Sequence, residues 1–410
     1  MRSAWLIAGF LGTLLAGCRG MQWQPPLPPK VANLPLADRQ VPPPDLSGLK
    51  DPPKDKDKAP APPQAYYNLT AEECRELACR NSAIGNFFDA SAPQCTPAGH
   101  NMASRYASDW VRVTAAGYIS AEARNRNAGT ALNLYYRILE LELKSDVLKS
   151  SIAELDALVK ANDVLAQKGF KQTVDAHELR KQRIELDADH AKLRSGLQKL
   201  NAELKSLLAI DPGTQGFLLP ADQVKVVPDP LDADQAVKLG LSIRSDLNLL
   251  RAVGNMTDHR TVPAVRQVIL GIVPGYAALM QTAEFAPAQM IPFLSTVAKA
   301  EANAVKKQVL GLLRDREREA AKDIRTAVEE WTTARELVAI ARQRFELNQS
   351  RVTELEKRAK VGQGVELDLR KARLEFLQSE SDLIGEIAKW KLADVKAREV
   401  IGLLCDECGR

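Results

Sequence analysis

Apolar positions recur along most of this 410-residue chain at the spacing of a helix that buries one stripe. From Gly129 to Ile210 the stripe runs Leu134, Ile138, Leu141, Leu148, Ile152, Leu155 and Val159. It pauses at Gly169 and resumes as Leu179, Leu186, Leu193, Leu197, Leu200, Leu204 and Leu207. Steps of three, four and seven residues make a heptad-like seam, the pattern of helices packed as coiled coils. Asp211-Pro212-Gly213 then stops it, since proline cannot continue a helix. The plan returns as Val338, Ala341, Phe345, Val352, Leu355 and Ala359, is broken by Val361-Gly362-Gln363-Gly364, and continues as Leu367, Leu374, Leu377, Ile384, Leu392 and Val395 to Gly402. Arms of about 40 residues, roughly 60 Å each, exceed an ordinary globular core. They must pack against one another or against other subunits. The expected fold is mainly α, built of long antiparallel coiled-coil hairpins.

The two hairpins are copies. The same 193 positions separate Gly169 from Gly362, Asp175 from Asp368, and Arg180 from Arg373. A second echo precedes each hairpin: Leu69-x-Ala71 to Leu77 reappears 162 positions later as Leu231-x-Ala233 to Leu239. Solenoid repeats have far shorter periods, so one large unit is duplicated. Repeat 1 covers 67–215 with its tip near 169, and repeat 2 covers 216–404 with its tip near 362. Copy one is the shorter by 31 positions between repeat start and tip, 71 to 169 against 233 to 362.

The amino terminus changes the picture from a helical protein to an exported one. Met1-Arg2, an apolar run from Ala4 to Leu15 and then Ala16-Gly17-Cys18 have the form of a secretory signal over residues 1–17. Cleavage before Cys18 would leave a thiol for acylation, each buried methylene contributing about 0.8 kcal/mol of membrane binding. The alternative is an ordinary signal peptide with a chance cysteine. Arg19, in place of the aspartate associated with inner-membrane retention, favours the outer membrane. Residues 18–66 are proline-rich, a semi-rigid tether rather than a domain. No later stretch has the roughly 20 apolar residues of a membrane-spanning helix.

Composition and candidate chemistry mostly exclude. A net charge of +4 comes from interleaved acids and bases, so no basic patch argues for a nucleic-acid partner. His100, His177, His190 and His259 are scattered, and no Ser/His/Asp set, phosphate loop or metal-ligand spacing appears. An enzyme is not expected, nor is a cofactor or metal. After Cys18, five cysteines remain: Cys74, Cys79, Cys95, Cys405 and Cys408. Export permits disulfides, and an odd count leaves one thiol over. The 405–410 tail carries Cys405-x-x-Cys408 without the strand-then-helix context of a redox motif, and only His100 lies near Cys95 for zinc. A staple between this tail and the Cys74/Cys79 segment accounts better for the pair.

The Gly-x5-Asp-x4-Arg spacing occurs twice at helix–helix tips, each copy followed by a long seam ending in Leu207-Leu208-Ala209-Ile210 or Ile401-Gly402-Leu403-Leu404. With the Leu69 and Leu231 repeat starts, it resembles the outer-membrane efflux protein family typified by TolC, over residues 67–404. The resemblance implies a homotrimeric helical tunnel topped by a β-barrel with four strands per chain. It also implies docking on a periplasmic adaptor (membrane fusion) protein and an inner-membrane pump, in contact with outer-membrane lipid. The tips Lys168-Gly169-Phe170 and Val361-Gly362-Gln363 would meet the adaptor, glycine allowing the sharp turn and close approach. Asp175 and Asp368 match acids that line the family's periplasmic gate, where a ring of carboxylates would attract cations. An acid favoured by the helix dipole at a helix start is the other reading of both. Lys371 and Ala359 stand where members often carry a second gate acid and a tyrosine.

The barrel is where the chain departs most. Residues 83–120 contain Pro93, Pro97 and no clean alternation, and Val262 to Tyr276 and Met280 to Leu294 are interrupted by proline. A small or reduced barrel is expected. The pattern leaves two functions open: the outer-membrane channel component of a tripartite efflux or type I secretion system, or a barrel-less envelope scaffold lipoprotein using the same hairpins.

Overall fold

The computed structural model describes residues 66–91, 103–167, 175–211, 216–222, 232–272, 295–361 and 366–405. The chain divides into residues 1–64 with 270–283, and residues 65–269 with 284–410. Of the first unit only residues 270–272 are described, as helix. The elements of the second run β1 (Tyr66–Leu69), α1 (Ala71–Arg80), α2 (Ala83–Ser91), α3 (Ala103–Gln167), α4 (Ala176–Leu207), β2 (Phe217–Pro220), α5 (Ala233–Ile243), α6 (Ser245–Met256), α7 (to residue 269 here; whole helix Val262–Ile272), α8 (Ser295–Lys360) and α9 (Glu366–Ile401).

The two hairpins are α3–α4 and α8–α9, and their arms are unequal. The outgoing helices have 65 and 66 residues, the returning ones 32 and 36. The expectation of equal arms near 40 residues is corrected: the helix does not end where the seam fades, because its upper half finds other partners. Along the lower half, packing runs in the order α4–α3–α9–α8. Above the ends of α4 and α9, short helices take over. α1 and α2 lie on α3, α5 lies on α8, and α6 packs on both α3 and α8. An amphipathic helix of roughly 100 Å is thereby covered along its length.

This explains positions the single seam does not mark. α3 carries Leu132, Tyr135, Val147 and Leu158 buried beside the predicted Ile138 and Leu155. It has two neighbours in the layer, so two stripes are buried. α9 matches it with small buried residues, Ala372, Ser379, Gly385 and Ala388.

The short helices start from sequence-legible caps. Thr70 and Glu73 form a reciprocal capping box at α1, Glu73 N–H donating to Thr70 Oγ1 (3.2 Å) and Thr70 N–H to Glu73 Oε2 (2.9 Å). At the matching position, 162 residues on, Asp232 caps α5 by accepting from Asp234 N–H (2.9 Å). Such caps satisfy donors that a helix start leaves without partners. Ala78 on α1 and Gly240 on α5 are likewise matched and buried where each short helix crosses a long one. A Cβ at Gly240 would run into Ile324 of α8.

β1 and β2 pair in parallel, Tyr66 opposite Phe217 through Leu69 opposite Pro220. Asn201 of α4 holds Leu218 at both backbone atoms (2.9 and 3.3 Å). Asp222 accepts from Ala71 N–H (2.6 Å) and Tyr135 hydroxyl (3.0 Å). The segments where the sequence invites a search for strands are helices in the described residues. Residues 83–120 give α2 and the start of α3, and Val262–Ile272 is the helix α7. Short apolar runs fit a buried helix as well as a strand, and periodicity alone does not separate them. Residues 273–294, including Met280 to Leu294, lie outside the described residues.

The segment after α9 is received by both copies. A disulfide joins Cys79 of α1 to Cys405, 326 positions apart. Arg75 Nη1 donates to Leu404 O (2.6 Å), Leu404 N–H to Asn125 Oδ1 (3.1 Å), Asn125 Nδ2 to Glu399 O (2.8 Å) and Arg244 Nη1 to Val400 O (3.0 Å). Carbonyls at the end of α9, where the helical ladder runs out, are thus bonded by side chains from α1, α3 and the α5–α6 corner. Arg244 is itself held by Asp246 (2.7 Å). Burial pulls the Asp246 carboxyl upward, but the hydrogen bonds and charge of Arg244 outweigh it and hold it below the usual range. Cys74 stays a free, fully buried thiol, and burial pushes it up to about 12. Cys18, Cys95 and Cys408 lie outside the described residues.

Both returning helices end the same way. Gly402 (φ 95°) closes α9, with Leu403 N–H bonded to Arg398 O (2.9 Å) and Gly402 N–H to Glu399 O (3.1 Å). The corresponding bonds close α4 193 positions earlier, Ile210 N–H to Lys205 O (2.9 Å) and Ala209 N–H to Ser206 O (3.2 Å), but there the left-handed residue is Ala209 (φ 54°). A Cβ is unfavourable in that conformation by about 1 kcal/mol. Ala209→Gly is therefore expected to stabilise the fold by roughly 0.5–1 kcal/mol and Gly402→Ala to destabilise it by a similar amount, read from chemical denaturation midpoints. Cys405→Ser is expected to cost about 2–5 kcal/mol in oxidising buffer. That difference should vanish when both proteins are fully reduced.

Candidate functional site: the hairpin tips

At the first tip α3 runs to Gln167 and α4 starts at Ala176; at the second α8 runs to Lys360 and α9 starts at Glu366. Of the six tip residues singled out from sequence, Lys168, Gly169, Phe170, Gly362 and Gln363 lie outside the described residues. Val361 is described, and it is 72 % exposed. Three cations, Lys357, Arg358 and Lys360, occupy the last turn of α8, where the helix dipole favours positive charge.

The two matched acids do not occupy matched places. Asp175 is the N-cap of α4, its carboxylate accepting from His177 N–H (2.9 Å). Asp368 lies inside the first turn of α9 together with Glu366. Asp175 is exposed and has a structural task within its own chain. Asp368 instead adds its carboxylate to a turn already rich in acid.

The matched arginines have a clear common role. Arg180 reaches back across its hairpin to Asp163 (3.9 Å) and Arg373 across the other to Glu356 (2.8 Å). Asp163 and Glu356 are themselves 193 positions apart, each six before its tip glycine. The duplicated unit is thus acid, glycine, aspartate, arginine, with the outer two joined as an ion pair between arms. The acid is legible in the sequence by the same offset.

Glu154 of α3 is not. It bonds Arg370 of α9 at 3.1 Å and lies 3.9 Å from Arg373, so it ties the first hairpin to the second. Its side chain is 16 % exposed and that of Arg370 22 %. Beside it Leu155, Leu158 and Leu179 form an apolar cluster against which Leu367 and Leu374 of α9 pack. The position 193 residues after Glu154 is Leu347, so the duplication carries no trace of this contact. It joins the copies rather than repeating within each.

Among the described residues there is no group of His, Cys, Asp and Glu placed to hold a metal. No described helix is long and apolar enough to cross a membrane.

No family model and no curated protein matches this sequence. Solved structures do. The CmeC outer membrane channel of Campylobacter jejuni superposes with a TM-score of 0.57 at 12 % identity, over 81 % of this chain and 85 % of that one. The outer membrane protein VceC of Vibrio cholerae gives 0.53 at 11 %, over 82 % and 93 %. A membrane protein from Pseudomonas aeruginosa gives 0.53 at 13 %, over 73 % of both chains. The chain has the fold of outer-membrane channel proteins. The ion pairs at Glu154, Asp163 and Glu356 are described from this chain's own residues.

A double-mutant cycle of Glu154→Gln and Arg370→Met is expected to give a coupling of about 1 kcal/mol, between an exposed and a buried pair. The same cycle on Arg180 and Asp163, both more exposed, should give a few tenths at most. Equal couplings would mean that Glu154 is solvated and does not tie the hairpins.

Proposed function

We propose that this chain is the outer-membrane channel component of a tripartite efflux or type I secretion system, passing solutes from an inner-membrane pump and a periplasmic adaptor to the exterior. The observation that carries this reading is the α4–α3–α9–α8 layer, two matched hairpins side by side in the channel fold. Cys18, acylated, anchors the chain to outer-membrane lipid through the tether. Gly169 and Gly362 let the tips, with Lys168, Phe170, Val361 and Gln363, take the adaptor. Asp175 and Asp368 line the periplasmic gate.

The channel is a homotrimer, and the two edge helices support that. Among the described residues, α4 packs in the layer against α3 and α8 against α9. α8 exposes Leu337, Ile340 and Leu347, and α4 exposes Ile184. Steps of three and seven on α8 are those of a coiled-coil seam without its partner. Joining α8 of one chain to α4 of the next is a head-to-tail contact, which forms a ring when the rotation between chains closes.

A second reading, the barrel-less envelope scaffold, is favoured by chain length. Residues 92–102, between α2 and α3, number 11, and residues 273–294, between α7 and α8, number 22. A membrane strand takes about 9–11 residues and the smallest barrels have about eight strands. Only the second connection has the length for a two-stranded hairpin. Three chains then supply about six strands from these connections, fewer than a barrel of that kind uses.

Conductance separates the readings. The purified trimer in planar bilayers is expected to open pores; a stable trimer that never conducts would leave the scaffold. Ile340→Asp with Leu347→Asp is expected to yield monomer by native mass spectrometry. Gly169→Glu with Gly362→Glu is expected to abolish export of the pump's substrate in cells while trimer and acylation persist. Export unchanged in that double variant would remove the docking role.

A further inference from the structure

The disulfide between Cys79 and Cys405 connects the first helix of the unit to the residues just beyond α9. It also skips over a cysteine, Cys95, in the order of the chain. We infer that maturation of this protein requires a disulfide-reshuffling partner, a thiol isomerase, because the native pair is not the pair an oxidant would make first. The inference rests on export of the chain to an oxidising compartment, which is part of the reading above.

Three observations carry it. The first is order. A chain threaded from its amino terminus presents Cys74, Cys79 and Cys95 to the oxidant while Cys405 is still 310 positions behind Cys95. The second is loop entropy. Closing the 16 positions from Cys79 to Cys95 is favoured over closing 326 by roughly 90-fold, from the three-halves power of the length ratio.

The third is the geometry that brings Cys405 home. Leu404 is positioned by Asn125 of α3 (3.1 Å) and Arg75 of α1 (2.6 Å). Asn125 in turn holds the end of α9 through Glu399 O (2.8 Å). In the folded protein Cys405 is thus held at Cys79 by contacts from α1, α3 and α9 together. Cys79 is then fully buried and Cys74 with it, five positions apart on one helix and pointing apart. The free Cys74 thiol, held protonated by burial, is a poor attacking group in the folded protein, since the thiolate is the nucleophile. Errors must be corrected before folding closes over them.

The exchange balances without net oxidation. The isomerase thiolate attacks Sγ of Cys79 in a Cys79–Cys95 disulfide, and Cys95 leaves as thiolate and takes a proton. The Cys405 thiolate then attacks Sγ of Cys79 in the mixed disulfide. The native bond forms and the isomerase thiolate is released.

The test uses the full chain with its own leader, expressed in Gram-negative hosts with and without their periplasmic disulfide isomerase. Free thiols are trapped by alkylation, and the linkage is read by mass spectrometry of non-reduced peptides. Wild type is expected to carry Cys79–Cys405 several-fold less often without the isomerase, with Cys79–Cys95 in its place. Cys74→Ala with Cys95→Ala and Cys408→Ala leaves only Cys79, Cys405 and the acylated Cys18, and is expected to restore the native linkage in the same host. Equal native linkage in both hosts, or a triple variant that still needs the isomerase, would overturn the inference. Neither readout depends on conductance or on trimer formation, so its failure is distinct from failure of the channel reading.

Discussion

A helix of 65 residues with an apolar stripe cannot stand in water alone, and the architecture comes from covering it. Most of the stability of such a helix derives from tertiary packing rather than propensity. The returning arms α4 and α9 cover half of their partners. The rest falls to α1, α2, α5 and α6, short helices that lie where the returning arms stop. Each changeover exposes a helix end, with carbonyls that have lost their helical partners. The side chains that bond those carbonyls, Asn125, Arg244 and Arg75 at and just beyond the end of α9 and Asn81 at Leu208 just beyond α4 (2.7 Å), are therefore requirements of the plan.

The duplication is legible because each copy solves this problem with the same residues at the same offsets. Thr70 and Asp232 cap, Ala78 and Gly240 leave room at the crossings, and Asp163–Arg180 and Glu356–Arg373 tie the arms. What the offset cannot carry is any contact between the copies. Glu154–Arg370, the α3–α9 seam and the Cys79–Cys405 bond each join one copy to the other, so no echo marks them. The strands escape a reading of the sequence for a different reason. Four-residue segments such as Tyr66–Leu69 are too short for alternation to be read. α7 invites a strand assignment because an apolar run flanked by proline fits both.

The tip residues illustrate a limit of the same kind. Asp175 and Asp368 share a sequence offset, yet one caps its helix and the other lies a few residues inside the first turn. Equal spacing from a glycine fixes the path length along the chain. It does not fix where the helix begins, which depends on which side chain first satisfies the exposed N–H groups. A ring of carboxylates drawn from Asp368 uses an acid inside a helical turn, whereas one drawn from Asp175 competes with a capping bond to His177 N–H.

The copies have also diverged at their closing turns, and the difference tracks how each turn is held. Repeat 1 ends on Ala209 in a left-handed conformation and leads into β2, whose pairing with β1 holds the segment from outside the helix. Repeat 2 ends on Gly402, and the residues from Leu403 to Cys405 pair with no strand among the described residues. There the backbone adopts the required conformation without a Cβ, and a covalent bond stands where the first copy has a strand. A strained cap is tolerable where a strand pairing fixes the chain beyond it, because the cost at Ala209 is spread over a segment already held. Where the turn itself must deliver one residue to one partner, as Gly402 delivers Cys405 to Cys79, strain would act directly on that meeting, and glycine removes it.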